Sequence, residues 1–279
     1  KLIGVAFQSL EESQNIAYAI AIPIVKHFLR DLSDERRADF PSLGIVWQRL
    51  ESESHRRSLG IRPDEGGILV VRVAFEGTGW GQLEEGDVIL SLDGEPIGPD
   101  GTVQLRTGEL VDHSYRVSLK HVGESAKLGV LRKRERLELS LPVRPPSLLV
   151  PEDQYDVRPT YFVFGGLVFA PLSRDYLKSW GHDWWKSAPN ELVTVYETQV
   201  RTPERVEVVI LQKVLADAVN QGYHEYENHV VTRIDGVPVR SMRHLVELVE
   251  QSEAPFVTVH LADGQPVTGC TRFRRCRAH

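Results

Sequence analysis

Asp87 to Ile97 reads DVILSLDGEPI, and His229 to Val239 reads HVVTRIDGVPV. In both, a β-branched apolar run halts at Asp-Gly and an apolar piece resumes after it. Asp-Gly is a strong reverse-turn signal, because glycine accepts the positive φ that hairpin turns demand. Val88 aligns with Val230, Asp93 with Asp235, Gly94 with Gly236 and Pro96 with Pro238, at a constant offset of 142 residues. Ile89, Leu92 and Ile97 meet Val231, Ile234 and Val239 in the same register. Two similar units at this spacing predict two domains of one kind.

The surroundings of the two stretches are also alike. Upstream lie GGILVVRV, Gly66 to Val73, and VEVVILQKVL, Val206 to Leu215, both reading as strands. Downstream of the first, KLGVLRKRERLELSLPV, Lys127 to Val143, predicts two strands around a charged tip at Arg132 to Arg136. Downstream of the second, Met242, Leu245, Val246 and Val249 fall at helical spacing, and FVTVHL with a DGQP turn predicts a last hairpin. Arg144 to Pro159, RPPSLLVPEDQYDVRP, is Pro-rich and predicts a boundary. The class is mainly β with α (α+β).

With 279 residues, the chain has room for about two ordinary domains. At 41% hydrophobic and 26% charged it builds real cores, and a net charge of −6 argues against the basic field of a nucleic-acid protein. Its longest apolar run, Ile16 to Val25, contains Pro23 and falls short of the roughly 20 residues a membrane helix needs. Cys270 and Cys276 match no metal or redox motif, and neither a metal nor a cofactor is expected. In HEYENH, His224 to His229, the two histidines stand five apart rather than four, the wrong step for one helix face. GTGWG, Gly77 to Gly81, reads as a loop rather than a phosphate cradle, and Trp184-Trp185 as packing or a partner contact. Lys1 opens directly into the strand-like KLIGVAF, so the sequence reads as a fragment, and its compartment stays open.

LEEGDVILSLDGEPI, Leu83 to Ile97, resembles the core motif of PDZ domains in the circularly permuted form common in bacterial-type proteases. KLIGVAFQS followed by QNIAYAIAIPIVKHFLRDL resembles the last strands and exit helix of the trypsin-like domain of Deg/HtrA serine proteases. FPSLGIVWQRLE, Phe40 to Glu51, stands where the first PDZ domain carries its peptide-carboxylate loop and strand. The order is most similar to the plant-type Deg branch, and the resemblance covers residues 1 to 265. It implies the tail of a trypsin-like β-barrel (1–33), PDZ domain 1 (34–145), a linker (146–158), PDZ-like domain 2 (159–266) and a basic tail (267–279). The function implied is substrate recruitment and regulation for a serine endopeptidase of protein quality control. A non-catalytic tandem adaptor binding protein C-termini is the alternative. No G-N-S-G-G-P occurs and no His or Asp can be placed in a triad, so this chain alone is expected to lack serine-protease chemistry. Further implications are unfolded or C-terminal peptide segments as partners, homo-oligomerisation through the parent protease, and a cell-envelope or periplasmic location if bacterial.

The resemblance also assigns sites. An extended chain end would add to an open strand edge, with a helix as the opposite wall. In the first unit these are Ser42, Leu43, Gly44, Ile45 and Val46, facing Tyr115 and Leu119; in the second, Gly165, Gly166, Leu167, Val168 and Phe169, facing Leu245 and Val249. Core packing fits the alternation of Leu43 and Ile45, and the spacing of Leu245 and Val249, equally well. Ala6, Phe7 and Gln8 would border the protease's substrate cleft, with Ala17, Tyr18 and Ala19 near its specificity pocket.

Overall fold

A computed structural model of the chain describes residues 4–9, 17–33, 40–155, 157–215 and 220–270. The chain divides into two compact units, Lys1–Ser147 and Leu148–His279.

Unit 1 begins with strands β1 (Gly4–Ser9) and β2 (Ala17–Ala21), paired antiparallel with an irregularity between Ala6 and Gln8, and helix α1 (Ile22–Ser33). Then come β3 (Ile45–Arg49), α2 (Glu53–Leu59), β4 (Ile68–Val73), β5 (Val88–Leu92), β6 (Glu95–Pro96), β7 (Thr102–Arg106), β8 (Glu109–Asp112), α3 (His113–Ser118), β9 (Ser125–Arg132) and β10 (Glu135–Pro142). The main sheet runs β10-β9-β5-β4-β3, with β6 beside β5, while β7 and β8 make a separate hairpin. Alternation along the strands covers both faces: Ile68, Ile89, Leu92, Leu128 and Val130 join one core, and Val88 and Leu131 join Leu50 and Ile61 in a second. The β9–β10 tip is a two-residue turn at Lys133 and Arg134, whose φ of 51° and 71° match the twist such a hairpin needs.

Unit 2 comprises β11 (Phe162–Phe164), β12 (Leu167–Pro171), α4 (Arg174–Leu177), α5 (Trp184–Ser187), α6 (Asn190–Thr198), β13 (Val209–Val214), β14 (His229–Ile234), β15 (Val237–Pro238), α7 (Met242–Gln251), β16 (Phe256–Leu261) and β17 (Pro266–Cys270). Its sheet runs β11-β12-β13-β14-β16-β17, with β15 beside β14. From β12 onward this repeats the main sheet of unit 1 strand for strand, with α7 where unit 1 has the β7–β8 hairpin and α3. The duplicated motif thus marks duplicated topology, and β11 is the addition.

The Asp-Gly turn has the same construction in both units. The Lys127 N–H donates to Asp93 Oδ1 at 3.0 Å and the Asp93 N–H to the Lys127 carbonyl at 2.7 Å. The Thr258 N–H donates to Asp235 Oδ1 at 2.7 Å and the Asp235 N–H to the Thr258 carbonyl at 2.8 Å. Each aspartate, at φ 52° or 48°, clips the end of β5 or β14 to the neighbouring strand.

Two boundaries differ from expectation. Leu149 and Val150, in the stretch read as a linker, are buried with Leu172, Leu177 and Leu192 in a satellite core of unit 2. Proline-rich composition signalled the lack of regular structure there, which is not exposure. Val267, assigned to the tail, is fully buried in β17, which pairs with β16. The sequence between β12 and β13 folds as α4–α6, burying Trp184, Val193 and Val195, while Trp185 stays exposed. Among the described residues no closed barrel forms, and no helix is long and apolar enough to cross a membrane.

Candidate peptide-binding rim

The expected site in unit 1 is built around a short loop, Ser42 to Gly44, that enters β3. Three carbonyls of this loop are tied to one segment behind it. Ser42 O accepts from Thr78 Oγ1 at 2.5 Å, Leu43 O from the Gly79 N–H at 2.9 Å, and Gly44 O from the Ala74 N–H at 2.8 Å. In a trans peptide the following N–H points opposite to the carbonyl. The N–H groups of Leu43, Gly44 and Ile45 are therefore directed away from the 74–79 segment. Gly44 has φ +66°, and a Cβ there would stand 2.9 Å from Gly77 Cα. Only glycine lets the two backbones approach this closely. GTGWG, read as a loop, is thus the buttress of this one.

The Gly44–Ala74 bond sets Ile45 opposite Val73 at a non-hydrogen-bonded position, so the N–H and C=O of Ile45 face outward. The strand β3 is the last in its sheet, and among the described residues no strand pairs with its outer edge. Leu43 is buried, while Ile45 and Trp47 pack half-buried against the same core. Side chains at 43, 45 and 47 point inward, and among the described residues no strand covers the backbone rim.

Helix α3 is capped by Asp112, whose side chain accepts from the Ser114 N–H. It touches β3 through His113, whose ring meets Trp47 edge-on at 4.9 Å between centroids. His113 is buried with Nδ1 3.0 Å from the Gly101 carbonyl. Burial pushes the His113 imidazole below its ordinary pKa, opposed by that hydrogen bond and by Asp112. Tyr115 and Leu119, the expected wall, are half-buried on α3 and at its C-cap. The sequence reading missed Trp47 and His113. The alternation from Leu43 through Ile45 could have found Trp47, but nothing local marks His113.

In unit 2 the structure corrects the expectation. The strand β12 is not an edge: Phe162, Val163 and Phe164 of β11 pair with Phe169, Val168 and Leu167, and β13 pairs with the other side. Gly165 and Gly166, at φ 56° and 82°, form the two-residue turn of that hairpin rather than a loop open to a carboxylate. Leu167 and Phe169 are fully buried, as are Leu245 and Val249 of α7, all in one core. Packing, not ligand contact, accounts for those four.

At the N-terminal end, Ala6 is exposed on β1, and Phe7 is the residue skipped where the β1–β2 register shifts. The side chains of Phe7 and Gln8 lie outside the described ones.

The family model for the PDZ domain matches residues 150–269. Protease Do-like 2, chloroplastic, of Arabidopsis thaliana is 34% identical over 264 residues, covering 94% of this chain and 43% of that protein. Putative protease Do-like 3, mitochondrial, of the same plant is 32% identical, covering 96% of this chain and 46% of its own length. The chain thus spans less than half the length of these relatives. Among solved structures, the HtrA-type protease AlgW with tripeptide aligns over 52% of this chain and 46% of its own, at 27% identity and a TM-score of 0.37.

Proposed function

The chain is a PDZ-bearing member of the Deg/HtrA family of protease Do-like proteins, and we propose that its first unit recruits substrates by capturing hydrophobic C-terminal segments. What supports this reading is the free outer rim of β3, headed by three N–H groups turned away from the loop's own support. A terminal carboxylate would sit on the N–H groups of Leu43, Gly44 and Ile45. The chain behind it would add to the rim through the outward N–H and C=O of Ile45 and run on past Val46, with Tyr115 and Leu119 as the apolar wall. One buried apolar side chain contributes about 1.5–3 kcal/mol and each strand hydrogen bond about 1 kcal/mol net. After ordering costs, affinity should be about micromolar, near −8 kcal/mol. Such strength suits capture and release, with avidity from several copies in a homo-oligomer of the parent protease.

In this proposal residues 4–33 end the protease domain, with Ala6, Phe7 and Gln8 beside its cleft, and the parent's reaction is peptide-bond hydrolysis. The bulge at Phe7 is a feature enriched near active sites. Calorimetry tests the recruiting role. A peptide with a free hydrophobic C-terminus binds, and its amidated form binds at least tenfold more weakly. Equal binding of the two defeats the assignment of the loop.

A further inference from the structure

Helix α1 docks in an inverted sense. It exposes Phe28, Leu29 and Leu32 while burying His27 and Asp31, one turn apart, to 5% and 4% exposure. Both face His121, in the turn after α3. His27 Nδ1 lies 3.3 Å from the Leu119 carbonyl, to which it donates its N–H, as a carbonyl has none to give. That fixes the tautomer: in the neutral ring Nε2 carries a lone pair. Yet Nε2 lies 3.1 Å from Asp31 Oδ2 and makes no acceptable hydrogen bond. A lone pair thus faces a carboxylate in a site closed to water. The other Asp31 oxygen lies 2.6 Å from His121 Nδ1, and the two imidazoles stack at 4.4 Å. Two acceptors held face to face in a buried site are relieved by a proton on Nε2 or by a bound cation, and the added contact with His121 brings three ligand atoms together, which favours the latter.

We propose that His27, Asp31 and His121 form a binding site for a divalent transition-metal ion of the zinc class, clasping α1 to the first unit. The sequence reading expected no metal, since the third ligand stands 90 residues from the second. One ligand atom from each residue lies within 4.8 Å of the others. A tetrahedral ion with bonds of about 2.0–2.1 Å spaces its ligands about 3.4 Å apart, so on binding the 2.6 Å Asp31–His121 contact opens, the widest separation closes, and His121 turns its ring out of the stack on His27 to aim Nδ1 at the ion. Two imidazoles and one carboxylate are borderline-soft donors suited to such an ion, and they supply three of its four positions. The Nδ1–H donated to a backbone carbonyl is the outer-shell contact that orients a metal-bound histidine.

The test uses the whole chain and metal alone. Co²⁺ should bind at one equivalent with visible ligand-field absorption, and Zn²⁺ should displace it. Zn²⁺ should also raise the unfolding temperature of unit 1 and leave that of unit 2 unchanged. His121→Ala, in a surface turn, and Asp31→Asn, which keeps the side chain's shape, should each weaken Zn²⁺ binding by roughly 100-fold or more. The Cys270→Ser/Cys276→Ser variant and His224→Ala should bind as the unaltered chain does. Absence of saturable binding to the unaltered chain overturns the site. So does undiminished binding in both ligand variants, or a unit 1 stability that responds to pH and not to metal.

Discussion

At the scale of single residues, the carboxylates of the Asp-Gly turns combine two properties that rarely coincide. Each tolerates a left-handed backbone and accepts a hydrogen bond from the neighbouring strand. Asp93→Ala loses the acceptor and keeps the unfavourable φ, and should destabilise unit 1 by about 2 kcal/mol. Asp93→Gly should recover about half of that, and Asp93→Asn, retaining Oδ1, should lose least; urea midpoints give the order. The turn was legible in the sequence, but the clip was not, because Lys127 contributes only backbone and leaves no side-chain signature. His113 carries a pH dependence of definite sign. Its folded pKa lies below the ordinary 6.5 because of burial, so an unfolded chain takes up protons first as pH falls. Its stabilising contribution is present above that value and is lost on acidification. The urea-midpoint difference between the unaltered chain and His113→Gln should therefore shrink between about pH 8 and about pH 5.

At the scale of elements, one hairpin distinguishes the two units. Phe164-Gly165-Gly166-Leu167 turns β11 onto β12 and occupies the edge that β3 leaves open in unit 1. From sequence, a Gly-Gly pair before an apolar strand serves equally as a carboxylate loop or as a hairpin turn. The three-residue strand FVF is too short for its periodicity to decide. A Cβ at position 166 would run into the Asn220 amide and lie 2.9 Å from the Leu215 carbonyl, at φ +82°. Gly166→Val should therefore cost unit 2 about 3 kcal/mol or more and leave the melting of unit 1 unchanged, as two-step thermal unfolding would report. In unit 1 the apolar pattern gave β4, β5, β9 and β10 but not the β7–β8 hairpin, and the helix start was blurred. His113, Tyr115, Val117 and Leu119 all lie within about two turns, and only packing shows that His113 and Val117 are the buried pair.

At the scale of the whole molecule, duplication of a fold does not duplicate an open strand edge. The repeat at an offset of 142 residues made the shared topology readable before any coordinates. The His27–Asp31–His121 cluster depends on residues distant in sequence, while the strand that fills the edge in unit 2 is a sequence neighbour too short for a pattern to announce it. Titration of the chain with a hydrophobic C-terminal peptide should saturate at one peptide per chain; a stoichiometry of two would mean that β11 yields its place. The uncovered rim of β3 also carries a hazard. Unpaired backbone groups cannot tell a client's tail from the matching ribbon of a sister molecule, so the feature that makes capture possible also invites fibre-like self-association. The strand is only five residues long, kinks between Val46 and Trp47, and ends in the exposed, hydrophilic Gln48 and Arg49. Each of these traits shortens the flat run that a second copy could zip along, and on the proposed capture of chain ends it would keep that docking brief and reversible.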